Sequence, residues 1–314
     1  MKKIIKKAVF LGASLVSAAA YINKSIFDKA SKNLNIDENR LMYDSLLGKA
    51  SYIEKGNGNP ILLIHNTNIG GSLKEYKRNI DELSKNFKVY ALDLPGFGFS
   101  EKQNISYTAF PYAAFINSFI KDVIKEPVNI IASGGACVFC ASAFVASPSN
   151  FLKAMFICPT GIFEEDLPTN SDTSFKNMLE LPVLGTSCYT YFSSKRNLKK
   201  YLLNTALFSK ENYSKELLND LYESAHNGGT VSRFSFASEK SKFMALNILT
   251  LLEETDIPLY MVWGMDSEIN PPTNISFFKN HVKNAKYAVF ENAKILPHYE
   301  KADKFNVIAK EFFE

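Results

Sequence analysis

Cysteine and histidine are scarce, four of each in 314 residues. Neither is grouped for metal chemistry. Cys137 and Cys140 form a C-x-x-C with no second such pair and no neighbouring histidine, which disfavours a zinc or redox site and leaves small packed residues on one face of a helix. With Cys158 and Cys188 far apart in sequence, no disulfide framework is implied. Charge of one sign is lacking too. Lys and Arg number 36 against 32 Asp and Glu, a net +4, so no nucleic-acid partner is expected. No internal repeat or long low-complexity stretch appears, and the most apolar run stops short of the ~20 residues that cross a bilayer comfortably.

What is present suits a soluble globular chain: 46% hydrophobic and 22% charged residues, in a length that fits one α/β core with an insertion. The first segment carries Lys2, Lys3, Lys6 and Lys7, then an apolar stretch from Ala8 to Ile22 containing Ser17-Ala18-Ala19-Ala20. Three readings fit it. A basic start before a short apolar run is the pattern of a cleaved signal. Lengthened by Ile26-Phe27, with Lys6, Lys7 and Lys24 snorkelling, it attaches to a membrane. It also fits a helix packed on the fold. Membrane association through residues 2–22 is carried forward, against secreted or cytoplasmic alternatives. Asp28 to Asn39 is polar and reads as a link.

From about Tyr43 to Pro159, β-rich runs alternate with helical patterns, which predicts a doubly wound, mostly parallel sheet of the α/β class. Helices are expected over Asn79–Phe87 and Tyr112–Lys125, and buried strands at Val128–Ile131 and Ala154–Ile157. From Gly161 to Glu254 the pattern turns to helices broken at Pro168, Pro182-Val183-Leu184-Gly185 and Gly228-Gly229. Strands at Leu259–Trp263 and Tyr287–Glu291 and a helix over Ala302–Phe313 close the chain. The expected division is 1–32 for the N-terminal segment and link, 33–160 with 255–314 for the core, and 161–254 for the helical insertion.

The run Val128-Asn129-Ile130-Ile131-Ala132-Ser133-Gly134-Gly135-Ala136-Cys137 reads as a strand, a turn of small residues and a helix. That is the layout small-x-nucleophile-x-small, with Ala132 and Ala136 in the small positions and Gly134 at the tip. Other landmarks are Ile61-Leu62-Leu63-Ile64-His65-Asn66, Asp93-Leu94-Pro95-Gly96-Phe97-Gly98-Phe99-Ser100, Leu259 to Gly264, and Leu296-Pro297-His298-Tyr299-Glu300. In this order, over roughly residues 50–314, they resemble the α/β-hydrolase fold superfamily, its capped esterase- and epoxide-hydrolase-like members in particular. The resemblance implies a helical cap at 161–254, an oxyanion loop at His65-Asn66, a Ser-His-acid triad, and no metal or cofactor.

The triad slots can be read one by one. Gly134 stands in the nucleophile slot. Ser267 stands in the acid slot, three residues after Gly264, with Asp266 one position early and Glu268 beside it. Ile295 stands in the base slot, because Lys294-Ile295-Leu296-Pro297-His298-Tyr299-Glu300 resembles the family's Gly-His-Leu-Pro-His-x-Glu, leaving His298 as the second, packing histidine. The family's alternative acid position falls on Cys158. A triad works only as a set, so loss of one member relieves the demand on the others. His226 and His281 belong to the insertion and a surface helix. The expected oxyanion and pocket residues are His65, Asn66 and Gly135, with Ser133 and Ser267 lining the same pocket. The favoured expectation is a protein without triad catalysis that binds a small apolar ligand or a protein partner. The alternative is a weak, esterase-like serine hydrolase using Ser133, His298 and Asp266.

Overall fold

Eight strands form one sheet: β1 (Leu41–Ser45), β2 (Gly48–Lys55), β3 (Pro60–Ile64), β4 (Lys88–Leu92), β5 (Val128–Ser133), β6 (Phe151–Ile157), β7 (Leu259–Gly264) and β8 (Ala285–Phe290). The computed structural model describes residues 2–32, 39–162, 167–282 and 285–314. The strand order is β1-β2-β4-β3-β5-β6-β7-β8. The β1–β2 and β2–β4 pairs are antiparallel and all later pairs parallel. β3 and β5 are buried along their whole length, as the apolar runs of central parallel strands require.

The helices are α1 (Lys2–Ser31), α2 (Ile80–Leu83), α3 (Ala109–Phe119), α4 (Ala136–Ala146), α5 (Asn170–Glu180), α6 (Leu184–Phe192), α7 (Lys195–Tyr201), α8 (Lys215–His226), α9 (Arg233–Lys240), α10 (Ile248–Glu253), α11 (Ile275–His281), α12 (Pro297–Glu300) and α13 (Ala302–Phe313). α5 to α10 all lie between β6 and β7. The helix expected over 79–87 shrinks to the single turn α2. The N–H groups of Asn86 and Phe87 both return to the Leu83 carbonyl, which turns the chain directly into β4. The helix expected over 112–125 begins earlier, at Ala109. It ends in a wider turn over Ile120–Ile124, closed by Lys125 at φ 68°. The polar stretch read as a link is helical as far as Ser31, and residues 33–38 lie outside the described residues.

One buried ion pair fixes the loop after β4. Asp93 meets Arg40 at 2.5 Å and also accepts the N–H groups of Leu73 (2.6 Å) and Phe99 (2.8 Å). The Ser100 hydroxyl donates to the Asp93 carbonyl. A buried charge persists only when paired and fully hydrogen-bonded, and Asp93 meets both conditions.

Lys102 is tucked against the same loop, its ammonium donating to the carbonyls of Gly98 (2.7 Å) and Ser100 (3.2 Å). Burial pushes its pKa down from 10.5 to about 7, against the pull of Asp93 and with a smaller push from Arg40. Between those two values the unfolded chain holds a proton that the folded chain lacks, so this lysine makes stability rise with pH. We expect the Tm difference between the protein and Lys102→Met to shift in favour of the protein from pH 7 to about pH 9. A difference independent of pH in thermal unfolding would remove this assignment.

Candidate active site

β5 ends at Ser133 and α4 begins at Ala136, so two residues make the whole strand-to-helix turn. Gly134 sits at its tip with φ +55°, its N–H donating to the Ile157 carbonyl of β6 at 2.9 Å. This left-handed conformation is the strained geometry of a nucleophile elbow, and glycine adopts it without a Cβ penalty. Ala132 and Ala136 are fully buried and let strand and helix approach closely.

Beyond the tip lies the side chain of Asn66. Its Oδ1 accepts the Thr67 N–H at 2.8 Å and the Gly135 N–H at 3.1 Å. Both partners are donors, so the carboxamide oxygen must be the atom facing them. These N–H groups belong to the residue after the elbow tip and to the β3 loop, the two sources of an oxyanion hole in this architecture. The hole is therefore filled from within. A Cβ built on Gly134 would collide with Oδ1, Cγ and Nδ2 of Asn66. The backbone of Asn66 is fixed as well: its N–H donates to Glu75 Oε2 (3.1 Å), and His65 Nδ1 donates to its carbonyl (2.7 Å). His65 Nε2 accepts the Leu94 N–H at 3.1 Å, so the ring is a neutral, buried clamp rather than a cavity wall. Burial lowers its pKa in keeping with that role.

Glu75 is the residue that sequence reasoning missed. Its side chain is 8% exposed, and its Oε1 lies 3.2 Å from His298 Nε2, although the alignment falls short of a hydrogen bond. Burial pushes its carboxyl up, but the adjacent His298 outweighs burial and holds it below the usual range. The structure thus sets His298 against Glu75, while the buried Ser133 hydroxyl has no hydrogen-bond partner. Ser133 is only 1% exposed and His298 is fully buried between Tyr76 and Phe305. The signal was an acidic residue between apolar Leu73 and Tyr76 in a short turn, where a carboxylate has little solvent to face.

The other slots carry structural partners. Ser267 is buried, and its hydroxyl accepts the Asn270 N–H at 3.4 Å. Asp266 is half-buried, its N–H donating to the Ala293 carbonyl (3.0 Å), which ties the loop after β7 to the loop holding Ile295. Glu268 pairs with Lys294 at 3.1 Å. Ile295 packs with Leu198, Leu202, Leu296 and Tyr299. His226 is buried in α8, Nδ1 on the Tyr222 carbonyl, and His281 pairs with Glu253. Cys137 and Cys140 are buried free thiols raised well above their usual pKa by burial. Among the described residues no cluster of His, Cys, Asp and Glu could hold a metal ion.

Space around the elbow is limited. A cleft between the 68–75 loop and α7–α8, bordered by Glu75, Tyr201 and Leu217, encloses ≈ 30 Å³, about one water. A second, between Gly98, Lys102, Tyr189 and Phe236, encloses ≈ 10 Å³. A third cavity of ≈ 220 Å³ opens beside the elbow, lined by Thr67, Gly135, Val138, Glu239, Lys242 and Met244. Of the expected pocket residues Gly135 borders this cavity, whereas His65, Asn66, Ser133 and Ser267 do not, and the Asn66 carboxamide holds the Thr67 and Gly135 N–H groups. Burial raises the Glu239 carboxyl pKa, with Lys240 opposing.

A family model described as the alpha/beta hydrolase fold matches residues 60–302. The chain is 24% identical over 264 residues to the dihydrolipoyllysine-residue acetyltransferase component of the acetoin cleaving system of Cupriavidus necator, covering 83% of this chain and 66% of that protein. It is 37% identical over 108 residues to a 2-hydroxy-6-oxo-6-(2'-aminophenyl)hexa-2,4-dienoic acid hydrolase of Metapseudomonas resinovorans, covering 33% of this chain and 37% of that one. The chain therefore spans less than two thirds of each of these relatives. Among solved structures, the meta-cleavage product hydrolase of Pseudomonas fluorescens IP01 superposes with TM-score 0.69 at 19% identity, over 87% of this chain and 97% of that one. A bacterial membrane phospholipase A superposes with TM-score 0.68 at 18% identity, over 100% of this chain and 98% of that one.

Proposed function

The chain belongs to the α/β-hydrolase fold family, and we propose that within it this protein binds a small, largely apolar ligand in the cavity beside Gly135 without turning it over. One observation carries the reading. Asn66 Oδ1 holds both oxyanion donors, beside an elbow tip with no side chain. Catalysis of acyl transfer needs those donors free to meet charge that develops in the transition state, and one lost donor already lowers kcat by about 10²–10³. At ≈ 220 Å³ the cavity is smaller than the roughly 300–1,000 Å³ of drug-sized sites, so it suits a small ligand. Val138 and Met244 offer it an apolar wall, and Glu239 a polar contact.

A second reading has a specific observation behind it. His298 Nε2 lies 3.2 Å from Glu75 Oε1, and relatives of the chain include named hydrolases and esterases. In this reading Glu75 replaces Asp266 as the acid of an esterase-like site. It requires Ser133 to leave its buried position. The two readings are separated by assaying the purified protein on short-chain nitrophenyl esters and by labelling with a fluorophosphonate. We expect no turnover and no labelling. Turnover or labelling that disappears in Ser133→Ala would establish the hydrolase. A protein partner in place of the small ligand would show as pull-down of a defined complex with the cavity empty.

The proposal includes attachment to a membrane through residues 2–22, in accord with the membrane phospholipase A whose fold also covers α1. Among the described residues no helix is long and apolar enough to cross a membrane.

A further inference from the structure

The two halves of α1 have opposite surroundings. Asn23, Phe27 and Ala30, one turn apart, are buried. The Asn23 amide donates to the Val183 carbonyl (3.3 Å) and the Ser187 hydroxyl (3.0 Å), and the Phe27 ring packs on Tyr189 and His226 with centroids at 6.2 and 5.3 Å. Tyr189 also lines the small cavity beside Gly98. The C-terminal half is thus clamped to the helical insertion. From Phe10 to Ala18, every residue whose surroundings are described is exposed. Phe10 is 77%, Leu15 64% and Tyr21 76% exposed, with Val16 and Ile22 beside them.

A short helix with no tertiary partner is marginal in water, and one that is apolar all round needs an apolar cover. Charge points to the cover. Lys2, Lys3, Lys6 and Lys7 occupy the first two turns, and no acidic residue occurs in α1 before Asp28. The stretch Phe10–Ile22 is about 20 Å long at 1.5 Å per residue, short of the ~30 Å hydrocarbon core. It matches a helix lying in the interface, with lysines at the headgroups and apolar side chains among the acyl chains.

We infer that the N-terminal half of α1 docks on the surface of an anionic bilayer, lying in one leaflet, while its clamped half holds the helical insertion against that surface. The inference rests on the membrane reading above and deepens it by naming the lipid charge and the mode.

The test uses the full chain, co-sedimented with vesicles of phosphatidylcholine alone and of phosphatidylcholine mixed with phosphatidylglycerol. Two variants accompany it: Lys2→Glu with Lys3→Glu, Lys6→Glu and Lys7→Glu, and Leu15→Glu with Val16→Glu. Leu15 and Val16 are exposed and lie outside the clamp at Asn23 and Phe27, and circular dichroism checks the fold of both variants. We expect binding to the mixed vesicles that weakens with salt. Each basic residue near an anionic surface contributes about fivefold, so the four-lysine variant should lose at least about a hundredfold in partition. The Leu15/Val16 variant should also release. Equal binding to both vesicle types would overturn the anionic, interfacial assignment and leave membrane attachment standing. No binding to either would overturn both. Self-association through α1 in lipid-free sedimentation, abolished by the Leu15/Val16 variant, would show that a second copy covers the helix and would also overturn the inference.

Discussion

Gly134→Ser alone is expected to destabilise the protein by about 2–5 kcal/mol, and adding Asn66→Gly is expected to remove the overpacking part of that loss and leave the backbone strain. Two terms add at the single site. A non-glycine residue at φ +55° carries a strain of about 1–2 kcal/mol. The new Cβ also meets the Asn66 carboxamide, whose Oδ1 is pinned by two N–H groups and cannot swing away without unpairing them. Overpacking of this kind typically adds about 1–3 kcal/mol. Asn66→Gly removes the obstacle but leaves the Thr67 and Gly135 N–H groups to water in the adjoining cavity, so by itself it should cost about 1 kcal/mol. The measurement is a double-mutant cycle by denaturant unfolding. Residues in contact show coupling of about 0.5–3 kcal/mol, and we expect this pair at the upper end. Additive effects would mean that Asn66 leaves the hole readily, and the filled hole would then be a weak argument against catalysis.

Much of the fold is legible in the sequence, because the signals for it are local. Short β-branched and apolar runs at Leu62 to Ile64 and Val128 to Ile131, bounded by turn residues, fit buried strands, and the closing helix over Ala302–Phe313 follows its periodicity. The turn at Gly134 is readable for the same reason: small residues in a row at the end of a strand leave few conformations. The arrangement within the site is not local. Asn66 and Gly134 lie 68 positions apart, by subtraction of the residue numbers, and each looks like an isolated departure from the family pattern. Only their adjacency shows that one side chain occupies the space which a side chain at the other would need. Glu75 was invisible for a related reason. A glutamate next to Lys74 in a short turn passes for a solvated surface charge until His298 arrives from the far end of the chain, and the flanking apolar Leu73 and Tyr76 were the one contrary sign. For α1 the packed-helix reading holds in the C-terminal half, around Asn23 and Phe27. Its apolar residues could not say which turn meets protein, and the polar Asn23 turned out to be one of the buried contacts.

Restoring the three slots alone, Gly134→Ser with Ser267→Asp and Ile295→His, is expected to leave the protein inert, whereas adding Asn66→Gly should produce a serine at position 134 that a fluorophosphonate labels. As the resemblance assigns them, the slots would supply nucleophile, acid and base in hydrogen-bond order. They do not supply the oxyanion hole, because Asn66 Oδ1 still holds the Thr67 and Gly135 N–H groups. With Asn66 gone, both donors point into free space next to the new hydroxyl. The loops are placed to help: the Asp266 N–H bond to the Ala293 carbonyl joins the acid loop to the segment bearing residue 295. Ile295→His puts an imidazole among Leu198, Leu202 and Tyr299, so low stability and modest reactivity are expected. Reverting Ile295→His in the four-site variant should reduce labelling at least about a hundredfold, since a triad member acts through the others. Mass spectrometry of the labelled peptide decides the matter. Labelling at position 134 with Asn66 intact would show that the carboxamide does not block the hole. Labelling at Ser133 in the unaltered protein would place the elbow one residue earlier and make the chain an enzyme.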